Sequence, residues 1–223
     1  MLAGGKKENF NATKQEKKAA QTRRSLLNSA FALFAERGYE RVTVEDITKH
    51  AGVSKGTFYF HFSAKEAVLT EYFLQIDDLY AESYSRMSKN QTTEKKLLRM
   101  VDIMCAFCAD QCGVEFLRVI YAHQLLHLQP DVSILNRPER KIIPILCEIA
   151  EDGKARGEVP KETDNEIFAK EIMHLAHGIV YDWCAENGSF DLKKEGRRVF
   201  EQTLRMAFAY NKNNHSKKSG VEK

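Results

Sequence analysis

Apolar residues recur along most of this chain at spacings of three and four, the period of helices buried on one side. From Thr22 onward Leu27, Ala30, Phe31 and Phe34 form such a stripe, and Gly38, free to take a positive φ, ends it. The next stretch, TVEDITKHAGVSKGTFYFHF from Thr43 to Phe62, has the proportions of two short helices about a tight turn. Thr43 caps the first with Asp46 at capping-box spacing, and Val44, Ile47 and His50-Ala51 give that helix one face to bury. Gly52 turns the corner and Ser54 caps the second helix, where Phe58 and Phe62 share a face while Lys55, Thr57, Tyr59 and His61 point elsewhere. Ser63 and Glu66 then open a helix carrying Val68, Leu69, Tyr72, Phe73, Ile76, Leu79 and Tyr80. This helix is the mechanical link between the two short helices and the rest of the protein, since a small tilt of it would move the short helices. After a polar break at residues 88–93, helices are predicted over 94–110, 114–128 and about 137–156, the last holding Pro144, which either kinks it or marks its true beginning. Gln129-Pro130-Asp131 separates the second from the third. Thr163 and Glu166 form another capping box for a helix reaching Glu186, and a final helix covers about 191–210. No strand alternation or hairpin signal interrupts this, so the fold class is all-α.

Composition changes the picture little until it is resolved along the chain. The net charge of the 223 residues is +3. Residues 1–66, however, hold 12 Lys and Arg against 7 Asp and Glu, residues 67–210 hold 18 against 23, and residues 211–223 hold 4 against 1. Positive charge thus collects around the two short helices, as salt-sensitive binding to a phosphate backbone requires. No run of eighteen apolar residues appears, and the lysine-rich start has no apolar stretch after it, which predicts an unexported, cytoplasmic protein outside the membrane. Five cysteines, an odd number, fit a reducing compartment rather than a disulfide framework.

Two short helices with donors on the outer face suit the reading of duplex DNA. Lys55 and Thr57 in the first turn of the second helix reach base edges, and Tyr59, His61 and Lys65 donate to phosphates. The run LLNSAFALFAERGYERVTVEDITKHAGVSKGTFYFHFSAKEAVL resembles the DNA-binding domain of the TetR family of bacterial transcriptional regulators, in Phe34-Ala35-Glu36-Arg37-Gly38-Tyr39, Thr43-Val44, Ala51-Gly52-Val53-Ser54, Gly56-Thr57-Phe58-Tyr59, Phe62 and Lys65-Glu66. The resemblance implies DNA contacts at Thr43, Ser54, Lys55, Gly56, Thr57, Tyr59, His61 and Lys65, with Gly56 allowing close approach of the backbone. It also implies an organisation: a basic arm over 1–21, a three-helix helix-turn-helix domain over 22–68, a helical effector-binding and dimerisation domain over 69–210, and a basic tail over 211–223. The later sequence, TDNEIFAKEIMHLAHGIVYDW and NGSFDLKKEGRRVFEQTL, resembles that second domain and implies a homodimer packed through its last two helices as a four-helix bundle. Ile172, Leu175, Ile179, Trp183, Phe200, Leu204 and Phe208 are the expected interface.

The function implied is a repressor that binds a palindromic double-stranded operator and is released by a small-molecule effector. Met104, Phe107, Phe116, Tyr121, His123, Cys147, His177, Tyr181 and Trp183 supply the apolar walls and polar tips of an effector pocket. A metal- or thiol-responsive regulator is the alternative, because Cys105, Cys108 and Cys112, His123 and His127, and His174 and His177 stand at helical spacings. No compact metal-ligand signature, phosphate-cradling glycine loop or nucleophile motif is present, so no metal, cofactor or enzymatic activity is expected.

Overall fold

In the computed structural model, which describes residues 14–126 and 140–218 apart from the side chains at 14, 35, 72, 73, 123, 126 and 208–218, every described element is helical. The chain divides into two compact units, the first ending at Val68 and the second beginning at Leu69. Expectations that fall on residues 1–13, on Gln129-Pro130-Asp131, His127 and residues 219–223, and on the side chains of Tyr72, Phe73, His123 and Phe208 lie outside the described residues.

The first unit holds α1 (Lys14–Arg37), α2 (Val44–Ala51) and α3 (Lys55–His61). α1 reaches back to Lys14, so residues 14–21 are helical. Leu26, Leu27, Ala30, Leu33 and Phe34 of α1 meet Tyr39, Val42, Ile47, Phe58 and Phe62 in a core whose members are all at most 8% exposed. Gly38, at φ 78°, closes α1 by donating to the Phe34 carbonyl at 2.9 Å. α4 (Lys65–Ser85) begins in the first unit and runs on into the second.

The second unit continues with α5 (Thr93–Ala106), a π-helical turn at Phe107–Cys112, α6 (Gly113–Leu126), α7 (Ile142–Ala155), α8 (Asn165–Ala185) and α9 (Leu192–Lys218). α5 packs on α7 and α9, and α8 on α6, α7 and α9. Three boundaries differ from the sequence reading for local reasons. The wider π turn brings the consecutive Phe107 and Cys108 both inward, so the helix predicted to stop near Asp110 passes through to Gly113, at φ 75°. α7 starts at Ile142, which puts Pro144 in the first turn, where its missing N–H has no helical partner to lose. Asp164, not Thr163, caps α8, its carboxylate accepting from the N–H groups of Glu166 and Ile167, both at 2.9 Å.

Candidate nucleic-acid interface

Short-range capping shapes α2 and α3. Thr43 Oγ1 accepts from the Asp46 N–H at 3.1 Å, and Asp46 Oδ2 accepts from the Thr43 N–H at 2.8 Å and hydroxyl at 2.6 Å, which holds the Asp46 carboxyl below the usual carboxylate range. Gly52, at φ 69° and ψ 33°, supplies the left-handed corner. Ser54 Oγ then accepts from the Thr57 N–H at 3.1 Å and lies 2.9 Å from the Thr57 hydroxyl. Phe58 is fully buried and Phe62 is 3% exposed, their rings 5.6 Å apart, so α3 is anchored from behind.

The expected DNA contacts divide by what they already hold. Lys55, Gly56 and Tyr59 are exposed, and Thr57 is half-buried. Lys55 Nζ donates to Glu45 Oε1 at 2.9 Å, a pair that raises the Lys55 pKa; with both side chains more than half exposed, it is an exchangeable partner for a phosphate or base. The hydroxyls of Thr43 and Ser54 are engaged in their caps. Lys65 is half-buried: its ammonium donates to the carbonyls of Tyr39 at 2.9 Å and Val42 at 3.0 Å and stands 3.9 Å from the Tyr39 ring centroid. Two of its three donors therefore fix the turn between α1 and α2. His61 is half-buried, and burial followed by the nearby Arg23 lowers its pKa.

Residues that sequence reasoning missed complete the surface. Arg23 on α1 donates to the His61 carbonyl at 2.8 Å and lies 4.6 Å from the Phe62 ring centroid, tying off the C-terminal end of α3. Tyr39 donates to Glu66 Oε1 at 3.0 Å. Phe60 is 80% exposed on the outer side of α3. Only the last was visible in sequence, because Phe60 lies two residues from each buried phenylalanine.

The residues expected to line an effector pocket lie in several places. A small cavity of about 20 Å³ lies among α4, α5, α6, Arg140 and α8, and of the eight named residues whose side chains are described, Met104, Tyr121 and His177 line it. Phe107 and Phe116 are core, and Tyr181 is 49% exposed. Cys147 donates to the Asn165 carbonyl at 3.5 Å. Trp183 donates through Nε1 to the Phe190 carbonyl at 3.0 Å and covers the turn at Gly188, so it belongs to the α8–α9 connection. Beside Tyr121 and His177, the polar end of the cavity has residues that were not expected there. Arg140 Nε donates to both carboxylate oxygens of Asp77 at 2.9 Å, with both residues at most 5% exposed, and Tyr80 stands beside them.

The expected dimer residues divide by their burial within the protomer. Ile179, Trp183, Phe200 and Leu204 are buried within the protomer at 8%, 8%, 0% and 5% exposure, whereas Ile172 and Leu175 are half-buried. The helical stripe of α8 instead turns outward at Ile167, Glu171, His174, Gly178, Tyr181 and Ala185, and α9 exposes Met206.

The metal-responsive alternative is not supported. Among the described residues no group of three His, Cys, Asp or Glu is placed to hold a metal ion. Burial pushes the thiol pKa values of Cys105 and Cys184 up to about 12, and those of Cys108 and Cys112 higher still, which disfavours the thiolate form. No described helix is long and apolar enough to cross a membrane.

Comparison with known proteins matches residues 26–72 to the family described as bacterial regulatory proteins, tetR family. Over 196 residues the chain is 43% identical to the A-factor receptor protein of Streptomyces griseus, spanning 85% of this chain and 65% of that protein. It is 22% identical over 194 residues to the transcriptional repressor BepR of Brucella suis, covering 83% of this chain and 91% of the relative. Among solved structures, Thermus thermophilus FadR with lauroyl-CoA superposes at a TM-score of 0.68 and 22% identity, covering 82% of this chain and 92% of that one. FadR of Bacillus subtilis with stearoyl-CoA gives 0.64 and 23%, over 81% and 97%. These neighbours share the two-part helical fold.

Proposed function

Because the chain belongs to the TetR family of bacterial regulatory proteins, we propose that it is a homodimeric repressor, holding a palindromic operator through α3 of each protomer and releasing it when a small molecule enters the helical unit. The observation that carries this reading is the outer face of α3. Lys55, Gly56, Thr57 and Tyr59 lie ahead of a buried Phe58–Phe62 anchor, on the unit whose sequence holds the basic surplus. Two such helices related by a two-fold axis match successive major grooves about 34 Å apart. Lys55 and Thr57 read base edges, Tyr59 and His61 hold the backbone, and Thr43, Ser54 and Lys65 serve the contact by fixing the helix ends.

Effector release takes the form of a population shift: the ligand stabilises a conformation whose recognition helices no longer match the operator. The lining of the small cavity suggests the class of ligand. Arg140 is neutralised by Asp77, and burial, with Arg140 and His174 nearby, lowers the His177 pKa to about 4, so the polar end carries no net charge near neutral pH. Tyr121 already donates its hydroxyl to the His177 carbonyl at 3.2 Å, so an uncharged molecule with an acceptor for Tyr80 or His177 and an apolar body suits these walls. Met104 and Met173, flexible and unbranched, are the side chains that make room for it.

The test is selection of bound duplexes from a random DNA pool by the purified protein at near-physiological salt. Enrichment of one palindrome, bound with nanomolar-scale affinity, is the expected result and gives the operator on which effectors are screened by loss of binding. A folded protein that enriches nothing would sink the reading.

A further inference from the structure

Phe60 is the most outward-facing side chain of α3. Helical residues two apart stand on nearly opposite sides, so Gly56 and Phe60, each two positions from the buried Phe58, share the ridge directly away from the core. The phenyl ring is 80% exposed, while Phe58 is at 0% and Phe62 at 3%. It stands edge-on to the His61 ring, centroids 5.0 Å apart at 81°, against a helix end fixed by the bond from Arg23. A Cβ added to Gly56 would meet only Ser54 Oγ, at 3.7 Å, so the ridge ahead of the phenyl is open and lets the helix approach closely. Tyr59, 51% exposed, and Thr57 flank it, with Lys55 one turn back.

An exposed phenylalanine in a basic, polar-faced unit needs a partner with an apolar feature inside a negatively charged surface. A duplex offers one in the major groove: the thymine 5-methyl group. Phe60 has no hydrogen-bonding atom, so it cannot hold a phosphate as Tyr59 or Lys55 can, and its contribution is confined to apolar contact. We propose that Phe60 is a base-reading residue, packing its ring on a thymine methyl in each operator half-site, so that the protein requires thymine at one position of the half-site through shape and burial. The inference rests on the assignment of α3 as the DNA-reading helix. It adds a specificity determinant that hydrogen-bond reasoning on Lys55 and Thr57 does not supply.

The test replaces each thymine of the selected operator in turn by deoxyuridine, which deletes the methyl and leaves pairing intact. Affinities are measured for the wild type and for Phe60→Ala at constant salt. Burial of one methyl corresponds to about a fourfold change per half-site, and so more than tenfold when both halves are changed. The expected result is one symmetric thymine pair whose demethylation weakens wild-type binding by about that factor and leaves Phe60→Ala unaffected. With its side chain 80% exposed, Phe60→Ala should fold as the wild type does, a point checked by thermal unfolding. Indifference of the wild type to every methyl overturns the inference while DNA reading by α3 stands. Equal sensitivity of wild type and Phe60→Ala also overturns it, as does a uniform loss by Phe60→Ala on operator and random duplex alike, which would place the ring on deoxyribose. Failure of the wild type to bind any duplex removes the DNA-reading assignment itself.

Discussion

Lys65 shows how one side chain serves a surface from beneath it. Its ammonium is committed to the Tyr39 and Val42 carbonyls, at 2.9 and 3.0 Å, and to the face of the Tyr39 ring. Lys65→Ala leaves those two acceptors to water or to nothing, and the expected loss is about 1.5–3 kcal/mol, the range for hydrogen bonds to charged groups. Urea unfolding measures it, and an unchanged midpoint would return Lys65 to a purely DNA-facing role. His177 gives a pH signature in the other unit. Burial first, then Arg140 and His174, lower its pKa to about 4, below the roughly 6.5 of an unfolded histidine. Between those values the unfolded chain takes up a proton that the folded one refuses. The contribution of His177 to stability is therefore complete above about pH 6.5 and is lost progressively as pH falls toward 4. His177→Gln should flatten the stability profile in that window by at most one proton, about 1.4 kcal/mol per pH unit. Sequence exposed the residues that act over three or four positions: the Thr43–Asp46 and Ser54–Thr57 caps and the Phe58–Phe62 anchor follow from local rules. Arg23 reaching His61 across 38 positions, Lys65 reaching Tyr39 across 26 and Arg140 reaching Asp77 across 63 do not, because nothing local marks either partner.

The helices of the second unit pack through glycines that their own periodicity did not flag. A Cβ on Gly153 of α7 would stand 2.5 Å from Thr93 Oγ1 and 2.7 Å from Val159 Cγ2, and one on Gly196 of α9 would stand 2.5 Å from Cys105 Sγ. Thr93 cannot yield easily, since it is fully buried and its hydroxyl donates to Glu158 Oε2 at 2.7 Å. In an open helix Gly→Ala would gain about 1 kcal/mol of propensity. Here overpacking dominates, and Gly153→Ala and Gly196→Ala should each lose about 1–3 kcal/mol in chemical denaturation. A gain in either would show that α5 stands farther from that neighbour than the structure has it. Element boundaries divide in the same way between local and distant causes. The all-α class and the order of helices could be read from spacing alone, as could the early stop set by Gly38. The π turn at Phe107–Cys112 could not, because periodicity tolerates one extra residue. Preference alone could not choose between Thr163 and Asp164 as the α8 cap, since both residue types cap well.

For the molecule as a whole, the proposed dimer has to use what each protomer leaves outside. Apolar content pointed to Ile179, Trp183, Phe200 and Leu204, but composition cannot tell the inner face of a helix from the outer one, and those four are consumed by the protomer core. The outer stripe of α8 offers Ile167 and Tyr181, 58% and 49% exposed, with Gly178 between them; α9 offers Met206 at 67%, beside Arg205. Glu171 and Asp182 on α8 and Arg205 on α9 are exposed, opposite charges that a self-complementary two-fold contact can pair. Gly178 narrows the choice of surface, because among the described residues a Cβ there meets nothing within 4 Å and no contact calls for a glycine in mid-helix. A partner helix crossing at that point would call for one. Tyr181→Glu combined with Met206→Glu should therefore give a helical monomer by sedimentation, with operator affinity reduced by about two orders of magnitude or more as bivalent binding is lost. Phe200→Ala should instead destabilise the protomer by about 3–5 kcal/mol. Gly178→Ala separates the two settings. In the monomeric background it should raise stability by about 0.5–1 kcal/mol through helix propensity, and in the native background it should weaken association by crowding the crossing. Equal stabilisation in both backgrounds would put the crossing elsewhere on α8.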